Sequence, residues 1–223
     1  MKRKSLLLSL IIIFLSLTMS FIDGFYNPSY IIKSLIKILL FLVIPIIYLS
    51  TQKELHLIKD IFHINKKHIG YSMLFGLCIY IVIVVGYIIL KQFIDFSAIT
   101  GILNENGINI HNFIYISIYI SFMNSLLEEF FFRGCSFMIL KEHTSKRYAY
   151  MLSGMMFSLY HAGMTSGWFH IGIYVLCLLA LFIAGCFFNY INDQYKHIYP
   201  SWIIHMFANF GINTVGFMLF LGG

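Results

Sequence analysis

Long apolar segments separated by short polar loops follow one another along the whole chain. About seven of these segments approach 20 residues, the length that a helix needs to cross the hydrocarbon core of a bilayer. The pattern predicts an all-α, polytopic transmembrane helical bundle that forms a single integral membrane domain over residues 1–223. The predicted spans are Leu6–Ile22, Tyr30–Leu49, Gly70–Leu90, Phe113–Leu140, Tyr148–Gly167, Phe169–Ile191 and Tyr199–Leu221.

Basic residues in alternate loops indicate the orientation of these helices. They are Lys2, Arg3 and Lys4 before the first span, Lys53, Lys59, Lys66 and Lys67 after the second, Lys141, Lys146 and Arg147 after the fourth, and Lys196 after the sixth. The intervening loops carry only Lys91. Because Lys and Arg concentrate in cytoplasmic loops, the alternation predicts an odd number of spans and a cytoplasmic N-terminus.

Composition supports the membrane assignment and excludes one class of partner. The chain is 60% hydrophobic and only 11% charged, whereas soluble domains carry about 25% charged residues. The formal net charge of +6 does not indicate nucleic-acid binding, because the basic residues lie in short loops between apolar segments. The expected surroundings are a lipid bilayer. Abundant Ile, Lys, Asn and Phe are typical of low-GC Gram-positive bacteria, so the expected location is a bacterial plasma membrane.

Three polar stretches have simple interpretations. Lys33 and Lys37 lie one turn apart near the outer end of the second span, and we expect both to extend their ammonium groups to the membrane interface. The loop from Thr51 to Ile69 has apolar residues at helical spacing among lysines, which predicts a short amphipathic helix on the cytoplasmic surface. The loop from Gln92 to Asn112 is expected to be irregular and external, beside a substrate entrance.

The fourth span contains an unusual group of charges, Glu128, Glu129 and Arg133. A charge at the centre of a bilayer costs roughly 2.5–3.5 kcal/mol on insertion scales, so two adjacent acids there predict a function. Residues four apart lie over one another on a helix, which places Arg133 over Glu129. Glu128 is rotated away from that pair and shares a face with Asn124. We therefore expect Glu129 and Arg133 to neutralise each other and Glu128 to remain free for chemistry.

Two further spans carry polar residues near their midpoints. The fifth span holds His161, and the seventh holds His205 and Asn209, which are four residues apart and project from one helix face. Buried polar groups in a membrane bond to one another, because lipid offers them no partner. The sequence therefore predicts that Glu128, His161, His205 and Asn209 meet in one cavity.

These side chains are suited to the hydrolysis of an amide. A carboxylate beside an imidazole can deprotonate a water molecule, and a second imidazole with an amide can donate hydrogen bonds to a developing oxyanion. Glu128, His161 and His205 could instead hold a zinc ion. Because Asn is a poor zinc ligand and no His-Glu-x-x-His motif is present, the favoured interpretation requires no cofactor and leaves zinc as the alternative.

The motifs resemble those of a known family. Glu-Glu-x-x-x-Arg at residues 128–133, Phe-x-x-x-His at residues 157–161 and His-x-x-x-Asn at residues 205–209 follow one another on separate spans. This pattern is similar to that of the CPBP intramembrane proteases, which include type II CAAX prenyl endopeptidases and bacteriocin-immunity relatives. The resemblance covers about half of the chain, from Phe113 onward, and makes residues 113–221 the motif-bearing core.

The resemblance implies a role for each motif residue. Glu128 would be the general base and would act with His161 on the attacking water. His205 and Asn209 would stabilise the tetrahedral intermediate, and Glu129 and Arg133 would support the site. The implied function is an endopeptidase that cleaves a membrane-embedded or membrane-associated peptide or protein, by a glutamate-type or a metal-dependent mechanism.

Two other functions remain open at the level of sequence. A bacteriocin-immunity or membrane scaffold protein could keep the family's residues without catalysis. Acids at mid-membrane depth also occur in ion-coupled transporters, although the chain shows no internal repeat.

Overall fold

The computed structural model describes residues 3–64 and 68–222, which form helices joined by short loops. The helices are α1 (Arg3–Tyr26), α2 (Tyr30–Thr51), α3 (His56–Ile61), α4 (Ile69–Leu90), α5 (Ser97–Glu105), α6 (residues 113–143), α7 (Lys146–Met164), α8 (Ile171–Tyr195) and α9 (Tyr199–Gly222). No strand occurs within these two ranges, and the predicted all-α bundle is confirmed. Lys2, Lys66 and Lys67, which contribute to the predicted charge alternation, lie outside the described residues.

Five helices of the described chain, α1, α2, α4, α8 and α9, are long and apolar enough to cross a membrane. Helices α6 and α7 coincide with the fourth and fifth predicted spans. Their hydropathy is lower, because α6 contains Glu128, Glu129 and Arg133 and α7 contains His161. The protein is an integral membrane protein, whereas the count of seven spans and the cytoplasmic N-terminus stay predictions.

Helix α6 is the centre of the bundle. Every residue from 127 to 140 is buried, as expected for a helix with other helices packed all around it. Its middle, Glu129–Ile139, is wound as a π-helix, and the backbone N–H of Leu140 bonds to the carbonyl of Cys135, five residues earlier. Such wide turns are frequent at functional sites, and here they begin at the motif acids.

Aromatic side chains fill the space between α6 and its neighbours. The ring of Phe41, on α2, stacks on Phe131 with 4.2 Å between centroids and meets Tyr160 of α7 edge-on at 5.2 Å. Stacked and edge-to-face pairs stabilise beyond the area they bury, by about 0.5–1.5 kcal/mol each. These contacts bring α2 and α7 against the face of α6 that carries the acids.

Several basic loop residues form ion pairs at one end of the bundle. Lys4 and His143 both bond to the carboxylate of Glu54, which joins the start of α1 to the ends of α2 and α6. Burial raises the pKa of Glu54, but these hydrogen bonds outweigh burial and hold the pKa below its usual value. Nearby, Lys141 and Lys146 pair with Asp193. Residues of separate, predicted cytoplasmic loops therefore share one end.

Two predicted loops differ from expectation. The outer loop is not irregular, because it contains α5, held by the buried side chains of Ile99 and Ile108. The amphipathic helix α3 is present, but it is more than a surface helix. Its Ile61 is buried and accepts a backbone hydrogen bond from Ile198, so α3 packs beneath α6 and α9.

Helices α1 and α7 cross at a close contact between small residues. The backbone N–H of Gly163 donates to the Ser20 hydroxyl at 3.0 Å, and a Cβ added to Gly163 would lie 1.8 Å from the Ser20 carbonyl oxygen. Close approach of backbones at glycine is a common way for membrane helices to associate. The contact lies two residues beyond His161 and thereby fixes the depth of that side chain.

We predict that Gly163→Ala destabilises the protein by about 1–3 kcal/mol, because the added methyl group forces α1 and α7 apart. Thermal unfolding of the purified protein in detergent measures the effect. Gly86→Ala is the matched control, since a Cβ at that helical glycine meets no atom within 4 Å. An unchanged melting temperature in Gly163→Ala would contradict this helix contact.

Candidate active site

Glu128 is almost completely buried, with 2% of its surface exposed. Its Oε1 atom accepts hydrogen bonds from the Asn124 amide at 2.8 Å, the Tyr160 hydroxyl at 2.9 Å and the Lys37 ammonium at 3.3 Å. Its Oε2 atom has no hydrogen-bond partner among the described residues. Oε1 therefore accepts three hydrogen bonds, whereas Oε2 is available to accept hydrogen bonds from a bound molecule.

The two motif histidines both direct Nε2 toward that open oxygen. The Nε2 atoms of His161 and His205 each lie 3.8 Å from Glu128 Oε2. His161 Nδ1 is 2.7 Å from the carbonyl oxygen of Phe157, which can only accept, so Nδ1 carries a hydrogen. His205 Nδ1 lies 2.9 Å from the Glu129 carboxylate and is assigned as a donor for the same reason.

The tautomers decide what this cluster can bind. In a neutral imidazole with a hydrogen on Nδ1, Nε2 is an acceptor. Glu128 Oε2, His161 Nε2 and His205 Nε2 are therefore three acceptors that converge on one point. They are complementary to a molecule that donates hydrogen bonds, and water is the smallest such molecule.

Glu129 lies on the other side of the cluster and is fully buried. Its Oε1 atom binds His205, and its Oε2 atom accepts a hydrogen bond from Ser201, whose hydroxyl in turn accepts from the Asn192 amide. This chain of bonds runs from α8 through α9 to α6. It fixes the ring orientation of His205, so Glu129 acts on the histidine as well as on Arg133.

The predicted pairing of Glu129 with Arg133 is present, with 3.5 Å between Glu129 Oε2 and Arg133 Nε. The guanidinium is fully buried and lies over the rings of Phe157, at 4.0 Å, and Phe188, at 4.8 Å. None of its nitrogen atoms has a hydrogen-bond partner in the described chain. Its stabilisation therefore comes from the carboxylate charge and from the faces of the aromatic rings.

Asn209 is set apart from the other motif residues. It lies one turn beyond His205 on α9 and is half-buried. Its amide nitrogen donates to the backbone carbonyl of Ile120 at 3.2 Å, which leaves one N–H of the amide for another acceptor. The structure thus brings Glu128, His161 and His205 together and places Asn209 beside them without a bond to them.

The sequence analysis missed Lys37. The structure does not place Lys37 at an interface, because this side chain is 8% exposed and contacts Glu128. Lys33 behaves nearer to expectation and bonds to Asn27 and Asn106 at the far end of the bundle. The sequence did contain one indication of this contact, the position of Lys37 about two turns inside an apolar span. A charge at that depth predicts a functional partner.

Glu128, His161 and His205 are also the side chains that a zinc ion at this site would use. Carboxylate and imidazole are suitable zinc ligands, and histidines that bind zinc usually anchor Nδ1 as these two do. Within residues 3–64 and 68–222, however, no three His, Cys, Asp or Glu side chains are arranged as a metal-binding group.

We predict that Arg133→Leu destabilises the protein by about 3 kcal/mol or more, because it leaves the Glu129 charge buried without its cation. The double variant Arg133→Leu/Glu129→Gln should lose less, because both charges are then absent. Denaturant unfolding of the four proteins of this cycle in detergent gives the coupling energy. Strictly additive losses would argue against the ion pair.

Comparison with known proteins gives one match, to the part of the chain that carries the motifs. A family model described as type II CAAX prenyl endopeptidase Rce1-like matches residues 110–211, which include all the motif residues and exclude Lys37. No curated protein and no solved structure matches the chain. The match over residues 110–211 confirms the predicted resemblance to the CPBP proteases.

Proposed function

We propose that the protein is a membrane-embedded endopeptidase in which Glu128 and His161 activate water to hydrolyse a peptide bond. The observation that carries the proposal is the convergence of Glu128 Oε2 with the two Nε2 atoms, each 3.8 Å away. The substrate is a peptide or protein in or at the membrane, and the location is a bacterial plasma membrane. The match of residues 110–211 to a CAAX endopeptidase family model supports the reaction class.

The first step is the activation of water. A water molecule bound at the cluster donates one hydrogen to Glu128 Oε2 and the other to His161 Nε2. Because Oε1 is held by Asn124, Tyr160 and Lys37, the carboxylate cannot rotate away from this water. Glu128 takes one proton as the water oxygen attacks the carbonyl carbon of the peptide bond.

The second step is stabilisation of the oxyanion. Before the attack, His205 takes up a second proton from solvent on Nε2; it then donates from Nε2 to the oxyanion, while its Nδ1–H stays bonded to Glu129. The free N–H of Asn209 supplies a second donor from the next turn of α9. Such preorganised donors in a site without bulk water are worth several kcal/mol in the transition state. Glu128 then gives its proton to the leaving nitrogen as the C–N bond breaks, and the carboxylic acid that forms passes its proton to the amine, so that the products are a carboxylate and an ammonium group.

The charges of the site are balanced for this chemistry. Glu128 faces Lys37, and Glu129 faces Arg133, so the cluster is neutral when both histidines are neutral. One proton on His205 gives the cluster a single positive charge, and proton transfer to Glu128 moves the negative charge of that carboxylate to the oxyanion, where the imidazolium compensates it. Because the surroundings are buried and weakly screening, this compensation is stronger than it would be in water.

Zinc supplies the alternative mechanism. It requires Glu128, His161 and His205 to move from the arrangement described above into one that holds the ion, which would supply an acidified water and a polarised substrate carbonyl. The favoured mechanism assigns those two tasks to Glu128 and to His205.

We predict that Glu128→Gln lowers the rate of peptide cleavage by about 10²–10⁴-fold, because an amide cannot accept the proton. The assay uses proteoliposomes and internally quenched peptides, namely a farnesylated peptide with a C-terminal Cys-a-a-X sequence, its unprenylated form and a single-span peptide. Glu142→Gln is the matched control, since this acid is exposed at the end of the same helix. Full cleavage by Glu128→Gln would exclude the mechanism.

A non-enzymatic immunity protein would give a different result. Cells that express Glu128→Gln or His161→Ala at normal levels would then keep their protection against a bacteriocin. If wild type cleaves none of the three peptides, peptidomics of membranes from cells with wild type or Glu128→Gln decides whether any natural peptide is processed.

We predict that activity persists after exhaustive treatment with a chelator and that the active protein contains no stoichiometric zinc. The reason is that the water can be bound and deprotonated by Glu128 and His161 alone. Elemental analysis of the same preparation provides the check. Loss of activity on chelation with recovery on addition of zinc would replace the favoured mechanism with the metal-dependent one.

A further inference from the structure

A groove of about 380 Å³ lies between α4, the first turns of α6, and α9, in the half of the bundle away from the ion pairs of Glu54 and Asp193. Most of its surface is apolar and comes from side chains such as Ile118, Phe207 and Phe210. Ile118 is about half exposed, so the groove opens outward. In a membrane protein this opening faces the bilayer, and the groove is accessible to molecules that lie there.

The groove continues a row of polar side chains that begins at the site. His205, Asn209 and Asn213 are spaced four residues apart and therefore share one face of α9. The first two are the donors that the proposed mechanism assigns to the oxyanion, and Asn213 lines the groove. A substrate whose scissile carbonyl lies at these donors can extend along α9 into the groove.

Polar groups are distributed among the apolar side chains of the groove. The Asn213 amide donates both hydrogens to α6, to the Ser117 carbonyl at 3.2 Å and the Ser121 hydroxyl at 3.1 Å, and its oxygen stays available as an acceptor. The Ser117 hydroxyl is buried and has no hydrogen-bond partner within residues 3–64 and 68–222. The hydroxyl oxygens of Tyr80, on α4, and Thr214, on α9, are 3.4 Å apart, which is long for a hydrogen bond between hydroxyls.

This mixture of apolar and polar surface favours a peptide over a lipid chain. A lipid acyl chain is apolar along its whole length and would leave the polar groups of the groove without partners. An extended peptide offers apolar side chains and also a backbone N–H and C=O at each residue. A substrate helix must unwind near the bond that is cleaved, and its freed backbone groups then need partners that lipid does not supply.

We propose that the groove holds an extended, apolar segment of a membrane-embedded peptide substrate, on one side of its scissile bond. The lining residues of α9 run from Phe207 to Phe217, a rise of about 15 Å along a helix. That distance corresponds to about four or five extended residues. The inference rests on the proposed function and narrows its substrate to peptides with such a segment inside the bilayer. Residues of the groove such as Ile118 would then determine specificity without touching the reacting atoms.

Photocrosslinking to the inactive Glu128→Gln protein tests binding without cleavage. The probe is the single-span peptide with one photoreactive leucine analogue, which is moved along the peptide one residue at a time. Crosslinks to the lining residues of α4 and α9 are expected from about four or five consecutive positions on one side of the scissile bond. Crosslinks that avoid the groove at every position would overturn the proposal.

Cleavage of the single-span peptide gives a second readout. Ile118→Trp narrows the groove and should lower kcat/KM by about tenfold or more, mainly through KM, because the lost contacts are remote from the reacting atoms. Ile118→Ala removes apolar contact area from the same side and should raise KM in the same direction. Ile212→Trp is the matched control, because Ile212 is equally exposed on α9 but does not line the groove. Equal losses in Ile118→Trp and Ile212→Trp, or an unchanged KM in both Ile118 variants, would contradict the proposal.

A lipid in the groove would give a different result. In proteoliposomes that contain phosphatidylglycerol with a photoreactive acyl chain, the single-span peptide should reduce crosslinking of the lipid to the groove. Lipid crosslinks that the peptide does not reduce would assign the groove to lipid and overturn the proposal. If wild type cleaves no peptide while the single-span peptide still crosslinks to the groove, the proposed function fails and the groove remains a site for a membrane-embedded peptide.

Discussion

The structure depends on the need to neutralise two adjacent carboxylates in an environment without water. A charge buried without a partner costs several kcal/mol, so each acid requires its own cation and its own donors. Glu129 has Arg133 from its own helix, and Glu128 has Lys37 from α2. The helices that surround α6 are placed where they can supply these partners, which ties the packing of the bundle to the electrostatics of the site.

The same requirement separates the tasks of the two acids. Glu129 cannot bind a further group, because both of its oxygens already have partners in His205, Ser201 and Arg133. In Glu128 only Oε1 is occupied by hydrogen bonds, so Oε2 is the one carboxylate oxygen that faces the two imidazoles. A site of this kind needs little movement during a reaction, because its donors and acceptors are already oriented. The π-helical turns that begin at Glu129 belong to the geometry that makes this possible.

The N-terminal helices are part of the site, although the family segment begins at residue 110. Helix α2 contributes Lys37 and the ring of Phe41, and α1 fixes the depth of α7 through the contact between Ser20 and Gly163. The family motifs therefore do not form the site alone. Helices α1 and α2, which lie outside that segment, complete it.

The sequence by itself determined the helical class and the approximate positions of the long helices, because apolar length and helical periodicity are local properties. It also indicated that Glu128, His161 and His205 lie together, because polar groups in lipid have no other partners. The pairing of Glu129 with Arg133 was also predictable, since a separation of four residues fixes it within one helix. Only the tertiary structure showed that Lys37 reaches Glu128, that His205 binds Glu129 and that α5 orders the outer loop. These contacts join helices far apart in sequence, and their geometry follows from how the helices pack, which no local pattern encodes.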